Sequence, residues 1–314
     1  MTDRFSEMVA KHALLPPQIR DDFPILTQTS ESGADLVYLD NAASTQRPTA
    51  VLDAMDACYR SFYSNVHRGI HTMSERSTAA YESARRIVAK FLNADSECQV
   101  IFTAGTTAAI NTVARSWGDQ NIDANDTILL TIAEHHANIV PWQQLSQRTG
   151  CNLVFLPVDA EGTIDDETMR TALQQHQPKL LACSAVSNVL GTVFPVARWV
   201  TMARELAGCV VLVDAAQSIP HQPMDVQAMD ADFLIFSGHK ICGPSGIGIL
   251  YGRESLLDSM PPFLGGGAMI REVTTSGFTT ASLPEKFEAG TPGIVQMIGL
   301  GVAIDYMLGH GMEA

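Results

Sequence analysis

Four short polar clusters in this chain combine residue types that can do chemistry, and each follows a run of apolar residues. In Phe233-Leu234-Ile235-Phe236-Ser237-Gly238-His239-Lys240 a lysine stands just past a run suited to a buried strand. Burial there favours the neutral amine, the nucleophile needed for imine chemistry, with a solvated surface lysine as the ordinary alternative. In Val210-Val211-Leu212-Val213-Asp214-Ala215-Ala216-Gln217 the apolar run ends on a carboxylate. A carboxylate buried there needs a cation, a metal or a protonated ring nitrogen beside it, unless Asp214 caps a helix or joins a structural ion pair. Thr103-Ala104-Gly105-Thr106-Thr107 joins a glycine to hydroxyls and free amides at a helix start, which suits a phosphate. A plain glycine turn with a threonine cap has the same spelling. Glu134-His135-His136-Ala137-Asn138 offers an imidazole able to stack on an aromatic ring or relay a proton, although each histidine alone also fits a structural role. Adjacent side chains diverge on an extended chain and no H-E-x-x-H occurs, so no metal site is expected. The phosphate fingerprints G-x-x-x-x-G-K-[ST] and G-x-G-x-x-G after a strand are also missing.

These clusters need a scaffold that gathers strand ends. Short apolar or β-branched runs alternate with helical stretches, the pattern of a mostly parallel sheet covered on both faces. Strands are expected at Val37–Leu39, Val100–Thr103, Thr127–Thr131, Leu153–Pro157, Leu180–Ser184, Val210–Asp214, Asp232–Phe236 and Gly248–Tyr251. Open sheets of this kind bind ligands in the crevice beyond the carboxyl ends of their strands. Tyr81, Ala84, Val88, Phe91 and Leu92 recur at helical spacing within Thr78–Leu92, which assigns Arg85, Arg86 and Lys90 to the outer side. Further helices are expected at Ala108–Ser116 and after Asp165, where Asp166 and Glu167 suit the positive end of the helix dipole. Gly265-Gly266-Gly267 and the polar stretch Thr274–Ser282 read as a long loop near the site. A last helical pattern (Val295, Ile298, Val302, Tyr306) runs from Gly293 to Gly309.

Composition narrows the classes. With 314 residues, 46% of them hydrophobic and 17% charged, the chain can build one large α/β domain with small appendages. A formal net charge of -14, from 34 acidic and 20 basic residues, argues against nucleic acid or an anionic membrane as partner. Cysteines at 58, 98, 151, 183, 209 and 242 form no C-x-x-C pair, so reduced, buried thiols are expected in place of disulfides or zinc. No apolar stretch approaches membrane-spanning length, and the first residues lack the apolar segment of a secretory signal. A cytoplasmic location is therefore expected.

The order of the clusters resembles the fold-type I pyridoxal-phosphate (PLP) enzymes, and among them the SUF-type (group II) cysteine desulfurases of the class V aminotransferase family. The likeness is carried by Tyr38-Leu39-Asp40-Asn41-Ala42-Ala43-Ser44, Asn65-Val66-His67-Arg68-Gly69-Ile70-His71, Glu134-His135-His136-Ala137-Asn138, Ser187-Asn188-Val189-Leu190-Gly191-Thr192, Ser237-Gly238-His239-Lys240 and Phe287-Glu288-Ala289-Gly290-Thr291-Pro292. It runs from about Phe23 to the end. The resemblance implies an N-terminal segment over 1–22 and an α/β large domain over 23–294, with a mostly parallel seven-stranded sheet and helices on both faces. Residues 295–314 would begin the helix leading to a small C-terminal domain.

By the same resemblance, Lys240 would carry PLP as a Schiff base and shuttle the proton, Asp214 would pair with the pyridine nitrogen, and Gln217 would bond the phenolic oxygen. His135 would stack on the ring and share the catalytic work. Thr106, Thr107, Ser237 and His239 would hold the phosphate, with Thr291 reaching in from the partner of a homodimer. Asn188, His67 and Arg68 would contact substrate. The implied reaction converts L-cysteine to L-alanine and leaves persulfide sulfur on an enzyme cysteine, for an acceptor protein of iron–sulfur cluster assembly. Three departures qualify it. The family's Arg-x-Gly-x-His-Cys motif and the arginine after it do not occur before Ala314, so the chain is expected to stop short of the catalytic cysteine and to bind PLP without turning cysteine over. Cys242 stands where the family usually has an aromatic residue, and a packing role is expected for it. Ala104 and Ala108 replace an arginine and a glutamate, which leaves Arg68 without an acidic partner. The alternatives on the same scaffold are a selenocysteine lyase acting on L-selenocysteine, an aminotransferase or an epimerase. A non-catalytic PLP-binding subunit is the alternative of another class.

Overall fold

The computed structural model describes residues 17–29 and 31–312. Seven strands form one sheet: β1 (Val100–Thr103), β2 (Thr127–Thr131), β3 (Asn152–Leu156), β4 (Leu180–Ser184), β5 (Val210–Asp214), β6 (Phe233–Ser237) and β7 (Gly248–Gly252). Their spatial order is β1-β7-β6-β5-β4-β2-β3. Strand β7 runs antiparallel to both its neighbours, and the other pairings are parallel. The mostly parallel, seven-stranded architecture implied by the resemblance is thus present. Strands β4 to β7 are buried on both faces almost throughout, which is why they read as unbroken apolar runs.

Alternation along each strand divides the core into two layers. Leu181, Val211, Val213, Leu234 and Phe236 face one layer, and Leu180, Leu212, Phe233 and Ile235 face the other. The first layer is covered by α1 (Thr49–Ser61), α2 (Thr72–Phe91), α5 (Asp166–His176), α6 (Val196–Leu206) and α7 (Ile294–His310). The second lies under α3 (Thr106–Val113) and α4 (Val140–Thr149). Helix α7 packs on α1 and α2 and buries Ile294, Val295, Met297, Leu300 and Ile304 in the same core as the sheet. Among the described residues no helix is long and apolar enough to cross a membrane.

Three sequence expectations are corrected. Val37–Leu39 is extended but pairs with no strand, and Val37 and Leu39 are exposed. Tyr38 faces inward between them and donates its hydroxyl to Ser44 O at 2.7 Å, so the alternation serves a local tie and no sheet edge. The stretch Thr274–Ser282 is not all loop: β8 (Ile270–Val273) and β9 (Phe278–Thr280) form a hairpin, with Thr274 N donating to Gly277 O at 2.8 Å. The β-branched residues at 270, 273, 279 and 280 account for the pairing.

The third correction concerns Arg85, which lies inside the fold with a side chain only 1% exposed. Four residues after Tyr81, it shares the inner face of α2, as helical geometry requires. Its guanidinium donates to Glu288 Oε1 at 2.8 Å and Oε2 at 3.0 Å, to Val100 O at 2.7 Å and to Glu82 Oε2 at 3.0 Å. It also stacks 3.9 Å from the centre of the Phe102 ring. A charge so enclosed is tolerated because four of its five donors are met, two of them by one carboxylate. Glu288→Ala would leave the guanidinium half paired, and about 3 kcal/mol of stability should be lost. Urea denaturation measures the loss, and an unchanged midpoint would show that Glu82 alone suffices.

Candidate active site

The carboxyl ends of β2, β4, β5 and β6, with the turn after β1, open on one cleft of about 490 Å³. Thr106, Thr107, His135, Asn188, Asp214, Gln217, Ser237, His239 and Lys240 line it together. Nine residues singled out from sequence therefore share one space.

The turn after β1 depends on glycine. Gly105 has φ +143, and a Cβ on Gly248 of neighbouring β7 would lie 2.5 Å from Gly105 Cα, so two backbones meet where no side chain fits. Helix α3 begins at Thr106, two residues earlier than the expected Ala108, and gives way to a π turn at Ala114–Gly118. Both threonines therefore occupy the first helical turn. Thr106 N donates to Ser237 Oγ at 2.8 Å, and the two hydroxyls meet at 2.7 Å, which joins this turn to the end of β6. Thr107 is exposed to the cleft.

Asp214 is 5% exposed. Its Oδ1 accepts from Ala216 N at 2.9 Å, while Oδ2 has no hydrogen-bond donor among the described residues. Burial pushes its carboxyl above the usual carboxylate range, and the Ala216 amide and the Lys240 charge partly offset that. Lys240 is half-buried in the turn after β6. Burial pushes its ammonium below the ordinary lysine value, with Asp214 acting against the shift. The turn is pinned through His239 O, which accepts from Thr45 N at 2.9 Å and from Thr45 Oγ1 at 3.0 Å. Sequence reading gave Thr45 no role, because its partner lies 194 residues away.

His135 Nδ1 accepts from Ala137 N at 3.1 Å, which leaves Nε2 as the nitrogen that carries the proton. Burial lowers the imidazole pKa, and the charges of Lys240 and His136 lower it further, so the neutral ring is favoured. Gln217 Nε2 donates to Ala42 O at 2.8 Å and keeps a second N–H free of that bond. Asn188 stands exposed at the rim.

His67, Arg68 and Thr291 are not in this cleft. They line a second one of about 330 Å³, between the start of α2 and the segment before α7. His67 Nε2 lies 3.2 Å from Glu82 Oε1, and that contact raises its pKa. The Arg68 guanidinium lies over Gly267.

Residues 37–314 match the aminotransferase class-V family. The chain is 50% identical over 299 residues to a probable cysteine desulfurase of Synechocystis sp., covering 95% of this chain and 70% of that protein. A cysteine desulfurase of Salmonella newport is also 50% identical, over 297 residues, with 94% and 72% covered. The crystal structure of the Escherichia coli cysteine desulfurase CsdA superposes with a TM-score of 0.87 at 42% identity, over 96% of this chain and 73% of that one. This chain is a cysteine desulfurase of the class-V aminotransferase family. A more distant structure, a C-DES mutant with glycine covalently linked to the PLP cofactor, matches at 25% identity and a TM-score of 0.80, over 93% and 74%.

The family is PLP-dependent, and the donor set fits that cofactor. The desulfurase cleft offers a buried carboxylate with one unpaired oxygen, an amine biased toward neutrality, and hydroxyls beside a glycine turn. Its thiols are of another kind. Cys58, Cys151, Cys183 and Cys209 are buried, while Cys98 and Cys242 are half-buried. Burial raises the pKa of Cys58, Cys98, Cys183 and Cys242, and pushes Cys209 up to about 11. Cys242 N–H donates to Thr45 Oγ1 at 2.8 Å, within the pinned turn. Thiols kept protonated are poor nucleophiles. Residues 1–314 should therefore bind PLP and release no alanine from cysteine, and alanine release that Cys242→Ser abolishes would assign that thiol a chemical role.

Proposed function

We propose that this desulfurase takes L-cysteine as substrate and releases L-alanine, with Lys240 as the residue that carries PLP. The observation behind the proposal is the meeting of Lys240 and the unpaired, buried Asp214 in one cleft. PLP, when bound, supplies an electron sink for a carbanion at the substrate Cα. The residues do the rest. Lys240, biased toward its neutral form, takes the proton from Cα and returns it to product. Asp214 keeps a proton on the pyridine nitrogen, which gives its own unpaired oxygen a partner. His135 presents a neutral imidazole to the ring face, and Gln217 offers its remaining N–H to the phenolic oxygen. Thr107, Ser237 and His239 hold the phosphate, with Thr106 fixing the Ser237 hydroxyl. Asn188 at the rim receives the substrate carboxylate.

His67, Arg68 and Thr291 serve the cleft of a second copy in this proposal, since their own cleft is separate. That separation supports a homodimer. A cysteine thiolate attacks the substrate sulfur, the Cβ–S bond breaks with its electron pair left on the carbon skeleton, and the persulfide so formed passes its sulfur to an acceptor protein of iron–sulfur cluster assembly in the cytoplasm; none of the six cysteines present is assigned as that thiolate. The proposal for L-cysteine rests on the relatives' names, and no observation here favours L-selenocysteine.

Borohydride reduction of the purified holoenzyme should fix PLP to Lys240 as a stable secondary amine, and Lys240→Ala should abolish the link. Mapping of the adduct to another lysine would overturn the assignment. Asp214→Asn should keep some PLP through the phosphate contacts and yet slow exchange of the substrate Cα proton. A charge-assisted hydrogen bond is worth about 1.5–3 kcal/mol, or roughly 10- to 150-fold in rate. Undiminished exchange would make Asp214 a structural residue.

A further inference from the structure

We propose that Glu134 is a positioning residue for the reaction, holding His135 in place over the cleft through a carboxylate shared by two strand ends and one turn. The inference rests on the reading of His135 as the residue that faces the cofactor ring. Glu134 is 6% exposed, and four donors converge on it. Its Oε1 accepts from Thr131 Oγ1 at 2.6 Å and from Ser184 N at 3.0 Å. Its Oε2 accepts from Asn138 Nδ2 at 2.7 Å and from Ser184 Oγ at 2.6 Å. Thr131 ends β2 and Ser184 ends β4, the parallel neighbour of β2. Asn138 closes the His136–Asn138 turn and accepts from Trp142 Nε1 of α4 at 2.9 Å.

His135 is thus held from both sides. The residue before it is fastened to two strands, and the turn after it is fastened to the same carboxylate. Within that turn, Ala137 N holds the imidazole itself by Nδ1. A role in stability alone is the competing account, since any buried network of this kind also supports the fold. What distinguishes it is placement: the atoms it fixes flank the histidine proposed to face the cofactor ring.

The chemistry of the network sharpens the test. Because all four partners donate as drawn, the site calls for an acceptor on both oxygens. Burial pushes the carboxyl up to about 7, and the bonds from Ser184, Thr131 and Asn138 pull against that shift. In Glu134→Gln the amide nitrogen replaces one oxygen. With the amide oxygen kept on Thr131 and Ser184 N, the Ser184 hydroxyl can turn to accept, but the Asn138 amide nitrogen then faces another donor. Adding Asn138→Asp turns that contact into a matched pair and still leaves an acceptor for Trp142.

The measurement is the circular dichroism of the visible PLP band in the holoenzyme, which reports the asymmetry of the cofactor's surroundings, together with the exchange rate of the substrate Cα proton and the Tm of the apoprotein. His135→Ala provides the reference and should weaken the band. E134Q should weaken it too and slow the exchange about 10- to 100-fold, the scale for a misplaced catalytic group. The E134Q/N138D pair should restore both. A lower Tm with band and exchange unchanged in E134Q would overturn the proposal in favour of stability alone. An unchanged band in His135→Ala would instead overturn the reading of His135 itself, and the proposal with it. If E134Q does not fold, Thr131→Val removes one donor and keeps the carboxylate. A weakened band at wild-type Tm then supports the proposal, and an unaltered band overturns it.

Discussion

A carboxylate at the end of an apolar strand sets the terms for this fold. Asp214 ends β5, flanked by β4 and β6, which are themselves buried on both faces. Removing a carboxylate from water costs several kcal/mol unless a cation or a full set of donors replaces the solvent. One backbone amide and the charge of Lys240 replace only part of it, and burial still raises the pKa. Asp214 is therefore costly as it stands in the protein alone. In the proposed site a protonated ring nitrogen would remove that cost, so the same group that limits stability would favour the cofactor. Such a local conflict is what functional sites show when the surrounding core is well packed.

The surrounding packing makes that conflict tolerable. Parallel pairing from β6 through β5, β4 and β2 to β3 aligns strand ends on one side, so polar groups there cluster without entering either apolar layer. Strand β7 runs the other way, and Gly248 at its start meets Gly105 where β1 finishes. The reversed strand of this sheet thus brings a second glycine against the glycine turn beside the cleft. Loops from far along the chain close the remaining sides. Thr45 binds His239 O, and Ala42 O binds Gln217, so the residues around 40–45 brace a turn nearly two hundred positions later.

Much of this was legible because parallel strands leave an unmistakable spelling: an apolar run, then a polar residue that has no reason to be there. The runs ending at Asp214 and Ser237 announced both strand and site. The family motifs added the roles of Gln217 and Asn188, which no spacing rule supplies. Other features were hidden for physical reasons. Arg85 was read as outward because its charge outweighed its position, yet the partner that makes burial acceptable, Glu288, lies 203 residues on. Val37–Leu39 has the alternation of a strand but no neighbour to pair with, and alternation alone cannot report a neighbour. The β8–β9 hairpin was masked by polar residues that suit a two-stranded ribbon as well as a loop. Glu134 was legible only as part of a motif, since its four donors come from three segments.

Glu288 links the two clefts. Its Oε1 accepts from Phe102 N at 2.7 Å, and its Oε2 accepts from Tyr81 OH at 3.1 Å, besides the two bonds from Arg85. It thereby fastens the segment that carries Thr291 to β1, one residue before Thr103 and the glycine turn, and to α2 as well. In the proposed homodimer, Thr291 of each chain serves the cleft of the other. Two-fold symmetry makes the relation reciprocal, so the distance between a chain's own turn and its own Thr291 segment bears on both sites at once. A buried, fully bonded ion pair is a suitable device for fixing that distance, because its directional bonds allow fewer arrangements than apolar packing of the same volume. On this view Arg85 is buried at some cost to stability because position, more than stability, is what the pair provides.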